Sequence, residues 1–192
     1  MKLSTREIVL AGLMAAVMVV VTVITRIPFV HSVVPFSMQP LIALLAGILL
    51  GPRIGALSMI VYLALGLVGV QVFATEPFGG PGYILKPSFG FLLSYPLVAY
   101  ITGKILGHQQ SPKIGHYLLA AGVGVVIIYL IGLPYVYMIL NFYLGKVTSV
   151  ATVIKLFFLP FILWDLLKAV AVAALARAIH RRLPEFSPSV EK

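Results

Sequence analysis

There is no cysteine anywhere in the chain. Disulfides, thiolate metal sites and cysteine nucleophiles are therefore excluded. Charge is nearly as scarce, at 10% of the residues, against about 25% in soluble domains. Acids are the rarer sign, with 5 Asp and Glu against 14 Lys and Arg. The net charge of +9 does not point to nucleic acid, because the bases stand singly between apolar runs and form no patch. No G-x-x-x-x-G-K-[ST] occurs, so the chain has no ATPase loop of its own. H-E-x-x-H and G-x-S-x-G are missing too. His31, His108, His116 and His180 are dispersed over predicted span ends and read as interfacial side chains rather than a metal cluster. Neither a metal nor a cofactor is expected, and the chain does not read as an enzyme.

What the chain does have is apolar surface. It is 61% hydrophobic over 192 residues, with a mean hydropathy of +1.10. This composition predicts an all-α integral membrane protein, a single bundle over residues 1–192. Lys2 and Arg6 before an apolar run imitate a signal peptide. The run from Ile8 to Thr25 is long and lacks an A-x-A site, so it reads as a first span.

Six spans are predicted, at about 7–24, 40–50, 54–70, 84–105, 115–140 and 155–182. The second is the weakest, about 17 Å long against a core of about 30 Å. Gly51-Pro52-Arg53 reads as a tight turn, and Gly132-Leu133-Pro134 as a kink. The stretch from Pro28 to Pro40 is not an ordinary helix, and Gln39 at the mouth of the next span is a candidate polar contact. Residues 71–83 form a Gly/Pro-rich loop, either a lid or a plain connection. Tyr135, Tyr137, Asn141 and Tyr143 read as an interfacial belt. Six spans put both termini on one side. Basic residues favour the cytoplasm, with Lys2, Arg6, Arg53, Lys104, Lys113, Arg177, Arg181 and Arg182 inside. No internal repeat is evident, which disfavours an inverted-repeat transporter. On the first span, Ala11-x-x-x-Ala15 and Gly12-x-x-x-Ala16 make a small-residue face, for packing within the bundle or for docking a partner.

The last span holds Asp165 and Lys168, three residues apart and so on one side of a helix. A charge at mid-span costs about 2.5–3.5 kcal/mol on insertion scales. Asp165 is the only acid inside a predicted span. A proton relay or an intramembrane aspartyl protease would ordinarily want a second acid. One acid with one base suits a neutral polar head group, to which a carboxylate accepts and an ammonium donates. The plain alternative is that the two neutralise each other, but stability explains a buried pair poorly. Phe161 and Trp164 are candidate ring walls beside it.

Several stretches resemble one family: Val34-Pro35-Phe36-Ser37-Met38-Gln39, Leu50-Gly51-Pro52-Arg53-Ile54-Gly55-Ala56-Leu57-Ser58, the run from Tyr62 to Val70, Val72-Phe73-Ala74, the glycine-rich loop to Tyr83, and Asp165-Leu166-Leu167-Lys168-Ala169. In order and spacing they are similar to BioY, the biotin-binding S component of energy-coupling factor transporters. Where that family usually has P-T-G-G-Y-L, this chain has Pro87-Ser88-Phe89-Gly90-Phe91-Leu92, and Lys86 stands where a small residue is common. The resemblance implies a six-helix bundle in a prokaryotic cell membrane that captures biotin from outside. It implies Asp165 and Lys168 at the ureido head, with Gln39 and Tyr83 in support. Phe73 is expected against the apolar body, and Lys86 and Ser88 near the valerate. Ala11 and Ala15 would dock a transmembrane coupling protein, itself joined to two cytoplasmic ATPases. A proton-coupled secondary carrier and an S component for a different vitamin are the rival readings.

Overall fold

The computed structural model describes residues 3–26, 37–107, 109 and 112–183, and among these every regular element is helical. Five helices are long and apolar enough to cross a membrane. The first, α1, spans Thr5–Thr25. Ser4 starts it with a reciprocal cap: the Glu7 N–H donates to Ser4 Oγ at 3.2 Å, and the Ser4 N–H to Glu7 Oε2 at 2.6 Å.

The second helix, α2, runs Gln39–Leu67 as one continuous assignment. It is not straight. Gly51 sits at φ 78° and ψ 175°, a left-handed φ that glycine adopts without penalty. Pro52 follows, pre-set for a first helical turn. The chain doubles back here, as two contacts require. A Cβ on Gly55 would lie 2.6 Å from the Ala46 carbonyl oxygen, so the two halves touch with no side chain between them. Gln39 Nε2 donates to Tyr62 Oη at 2.5 Å, although 23 residues of straight helix would separate them by about 35 Å.

After α2, residues 68–88 form a connection that ends in a 3₁₀ turn, Pro81–Leu85. The next helix, α3, is Phe89–Gly107. The sequence predicts its start at about 84. Pro87 moves it to Phe89, because the residue before a proline is pushed out of the helical region. Helix α4 spans Ile114–Met138 and unwinds into a π turn, Ile139–Tyr143. Asn141 does not serve a plain interfacial belt. Its side chain donates to the Tyr137 and Thr148 carbonyls and accepts from the Thr148 N–H, stapling the turn that follows.

The sequence predicts one last helix from about 155 to 182. There are two, α5 (Val150–Phe157) and α6 (Leu159–Arg182), broken at Phe158. Pro160 is the cause: it has no N–H to donate to the Leu156 carbonyl, and its ring would collide with that oxygen.

Helix α2 packs against α1 and α3, α3 against α4, α4 against α6, and α6 returns to α2. Ala11 and Ala15 are buried in this arrangement, at 2% and 1% exposure. Ala11 and Ala15 therefore pack inside the chain's own bundle, whereas Gly12 and Ala16 on the same helix are exposed. Helix contacts were the other reading of that face, and close approach is what small side chains permit. At one end of the bundle α1 begins, the Gly51 turn lies against Gly103 of α3, and Tyr117 near the start of α4 meets His180 near the end of α6. The expected features of Pro28 to Phe36, His31 among them, lie outside the described residues, as do His108 and the tail after Leu183.

Candidate binding chamber

At the opposite end the helices leave a cavity of about 300 Å³, the lower end of the range for small-molecule sites. It is walled by the first residues of α2, the 68–88 connection, α3, the middle of α4, and the α5–α6 break. Asp165 and Lys168 both line it. The break at Phe158 aims the flanking Phe157 and Phe161 at the same space, while Phe158 itself packs edge-on to Tyr129 at 4.8 Å. Trp164 faces outward, 46% exposed, and is not a wall.

The Asp165 side chain is 8% exposed and its carboxylate is held at both oxygens. Lys168 Nζ donates to Oδ1 at 2.8 Å, and Tyr129 Oη to Oδ2 at 2.6 Å. Lys168 Nζ also donates to the Ser37 carbonyl at 2.8 Å. Hydrogen-bond capacity is left over. A carboxylate offers about four acceptor positions and an ammonium three donors. Asp165 therefore keeps an acceptor position on each oxygen and Lys168 keeps one N–H. Among the described residues the unspent set is two acceptors and one donor, on side chains that are 8% and 11% exposed. Such groups bind strongly when matched and cost most when left unmatched.

The other polar walls are uncharged. Gln39 is 3% exposed. It lies in a relay in which Ser37 Oγ donates to Gln39 Oε1, Gln39 Nε2 to Tyr62 Oη, and Tyr62 Oη to the Val72 carbonyl. Tyr83 is buried with its hydroxyl 2.9 Å from Thr75 Oγ1, and both line the cavity, as does Ser88. Gln39, Tyr83, Ser88, Asp165 and Lys168 all line this one space.

Phe73 and Lys86 are elsewhere. Phe73 is fully buried behind the wall, its ring 4.4 Å from that of Tyr83 and pressed into the gap left by Gly66. It supports Tyr83 and does not line the cavity. Lys86 has its Nζ 6.0 Å from the centroid of the same Tyr83 ring and does not line this cavity. Tyr129, Tyr95, Phe91 and Thr75 line the cavity without having been singled out in the sequence. Tyr129 had a signal: a hydroxyl in mid-span must find a partner. Among the described residues no group of three or more His, Asp or Glu could hold a metal.

A protein-family model described as the BioY family matches residues 1–185. The chain belongs to the BioY family. A relative in Lysinibacillus sphaericus, named a probable biotin transporter BioY, is 36% identical over 93% of this chain and 88% of its own length. The biotin transporter BioY of Thermotoga maritima is 33% identical, covering 92% of this chain and 96% of its own. That of Rhizobium etli is 32% identical over 92% and 94%. The fold is similar to a crystal structure described as the S-component for biotin from an ECF-type ABC transporter, with a TM-score of 0.71 over 94% of this chain and 95% of that one, at 20% identity. As a BioY member with five helices fit to span a membrane, the chain is a multi-pass membrane protein.

Proposed function

We propose that this BioY protein is the substrate-capture subunit of an ATP-driven vitamin importer and that its ligand is biotin. The observation that carries the reading is the unspent hydrogen-bond set at Asp165 and Lys168. A cyclic urea has two N–H donors flanking one carbonyl acceptor, the complement of two carboxylate acceptors and one ammonium donor. The aromatic and aliphatic walls, Phe91, Tyr95, Ile128 and Phe161, suit the sulfur ring and the pentanoate chain. Relatives named biotin transporters at more than 30% identity support the same ligand.

In this reading Asp165 and Lys168 take the ureido head, Gln39 and Tyr83 bond ligand at the sides, and Ser88 is nearest to the acid tail. Six crossings result if the two halves of α2 each count as one, with the Gly51 turn at the membrane surface. The end bearing Arg6, Arg53, Lys113, Arg177, Arg181 and Arg182 then faces the cytoplasm of a prokaryotic cell, termini included. The chamber opens outward. A transmembrane coupling protein and two ATPases would supply the energy, and the chain itself would hydrolyse nothing. A proton relay fits less well, because Asp165 is already tied by an ammonium and a hydroxyl.

The test is titration of the purified protein with biotin, with riboflavin and thiamine as controls. Saturable binding of biotin alone, at a micromolar Kd or tighter, is expected. Absence of biotin binding, or equal binding of the controls, removes the reading.

A further inference from the structure

Arg26 closes α1 at the chamber end of the bundle, and no role in ligand binding falls to it from the cavity lining. Among the described residues, its side-chain hydrogen bond and its ring contact both lead to the loop after α2. Nη2 donates to the Gln71 carbonyl at 2.8 Å. The guanidinium carbon lies 4.5 Å over the Phe78 ring. Nε is shielded from solvent and has no hydrogen-bond partner among the described residues, so the half-buried side chain is held at its tip. These two grips fall at the two ends of one small loop. Within it the Phe73 N–H donates to the Phe78 carbonyl at 2.7 Å and the Phe78 N–H to the Thr75 carbonyl at 2.8 Å.

The inner side of the same loop is wired to the chamber. Ala74 and Thr75 line the cavity, with Thr75 exposed at its rim. Thr75 Oγ1 is bonded to Tyr83 Oη, and the Val72 carbonyl receives the Tyr62–Gln39 relay. Whatever fixes Gln71 and Phe78 therefore fixes the rim from which Thr75 and Tyr83 present their hydroxyls. A guanidinium suits this task because its planar face stacks on a ring while an N–H meets a carbonyl; an ammonium does not do both.

We infer that Arg26 is a positioning residue for ligand: it clamps loop 71–78 from outside and so sets how long a ligand stays in the chamber. The clamp is a property of this chain's geometry; its effect on biotin rests on the function proposed above. Two readouts keep these apart. The first is amide hydrogen exchange without ligand. In Arg26→Met the Phe73 and Phe78 amides should exchange about tenfold faster or more, the loss appropriate to a hydrogen bond from a charged group, while Val98 in α3 is unchanged. The second is the biotin dissociation rate. It should rise about tenfold in Arg26→Met, and adding Thr75→Ala to that variant should change it less than Thr75→Ala changes the parent. Arg26→Lys should behave like the Met variant. Unchanged amide exchange, faster exchange with an unchanged biotin off-rate, additive effects with Thr75→Ala, or full rescue by Lys would each overturn the clamp. If the parent binds no biotin, the function proposed above fails, and the exchange experiment still decides the clamp.

Discussion

Asp165 receives its two donors from different places, Lys168 one turn along α6 and Tyr129 across on α4. That arrangement separates binding from stability. Lys168→Met leaves a buried carboxylate uncompensated and should cost about 3–5 kcal/mol of stability. Asp165→Asn with Lys168→Met removes both charges and should recover most of that loss while biotin binding stays abolished. Thermal unfolding in detergent beside a biotin titration reads both quantities. Recovery of binding in the double variant would mean the pair only holds itself together. Tyr129→Phe keeps the ring and drops the donor. A loss of about 1–2 kcal/mol in biotin affinity is expected, measured as a five- to thirtyfold rise in Kd. The charges of this site are legible in sequence because a charge in an apolar run is expensive and rare. Tyr129 is less so, since tyrosines also mark span ends and nothing local says which neighbour its hydroxyl meets. Phe73 misleads for the opposite reason: its motif sits beside the chamber, and only the three-dimensional path shows that Gly66 makes room for its ring on the far side.

At the scale of elements, the turn at Gly51 and the break at Phe158 do different work. Gly51 and Gly55 allow the halves of α2 to lie in backbone contact. Leucine at Gly55 must displace the Ala46 backbone rather than a flexible side chain. Gly55→Leu should destabilise the fold by about 1–3 kcal/mol or more, seen as a lowered unfolding temperature with and without biotin. The Gly-Pro signal made this turn readable. The break before Pro160 was not, because the apolar pattern runs through Phe157 and Phe161 without interruption and hides the change of direction. Pro160→Ala would allow α5 and α6 to join. It should weaken biotin binding by turning Phe157 and Phe161 away from the cavity, with helix content by circular dichroism unchanged or higher. Affinity equal to the parent's would show that the break does not shape the wall. Ala11 and Ala15 illustrate a different limit: small residues permit close approach, but the pattern is silent on whether the approaching helix belongs to the same chain.

Among the described residues, the chamber lies at one end of the bundle and the basic surface where α1 begins and α6 ends lies at the other. Events at the two ends are thereby separable. Neutralising Arg177 and Arg181 together, Arg177→Gln with Arg181→Gln, should leave the Kd for biotin within about twofold, since charges a bundle's length away, Arg181 exposed and Arg177 half-buried, are screened. Equilibrium binding in detergent checks this. A large loss would mean the ends communicate even without a partner. The helical, multi-span character follows from composition alone, because backbone in lipid must satisfy its own hydrogen bonds. The closure of the chamber does not follow from it, since it joins segments far apart in the chain.

The bond from Lys168 to the Ser37 carbonyl spans 131 positions of the chain. Its consequence lies in biogenesis. While the protein is being synthesised, the start of α2 emerges early and waits for its anchor until α6 has left the ribosome and entered the bilayer. A chain interrupted just before Asp165 would hold most of the walls and none of the charged floor. On the function proposed above, the charged part of the site is thus acquired only near the end of translation, and a nascent chain offers ligand no more than the uncharged walls.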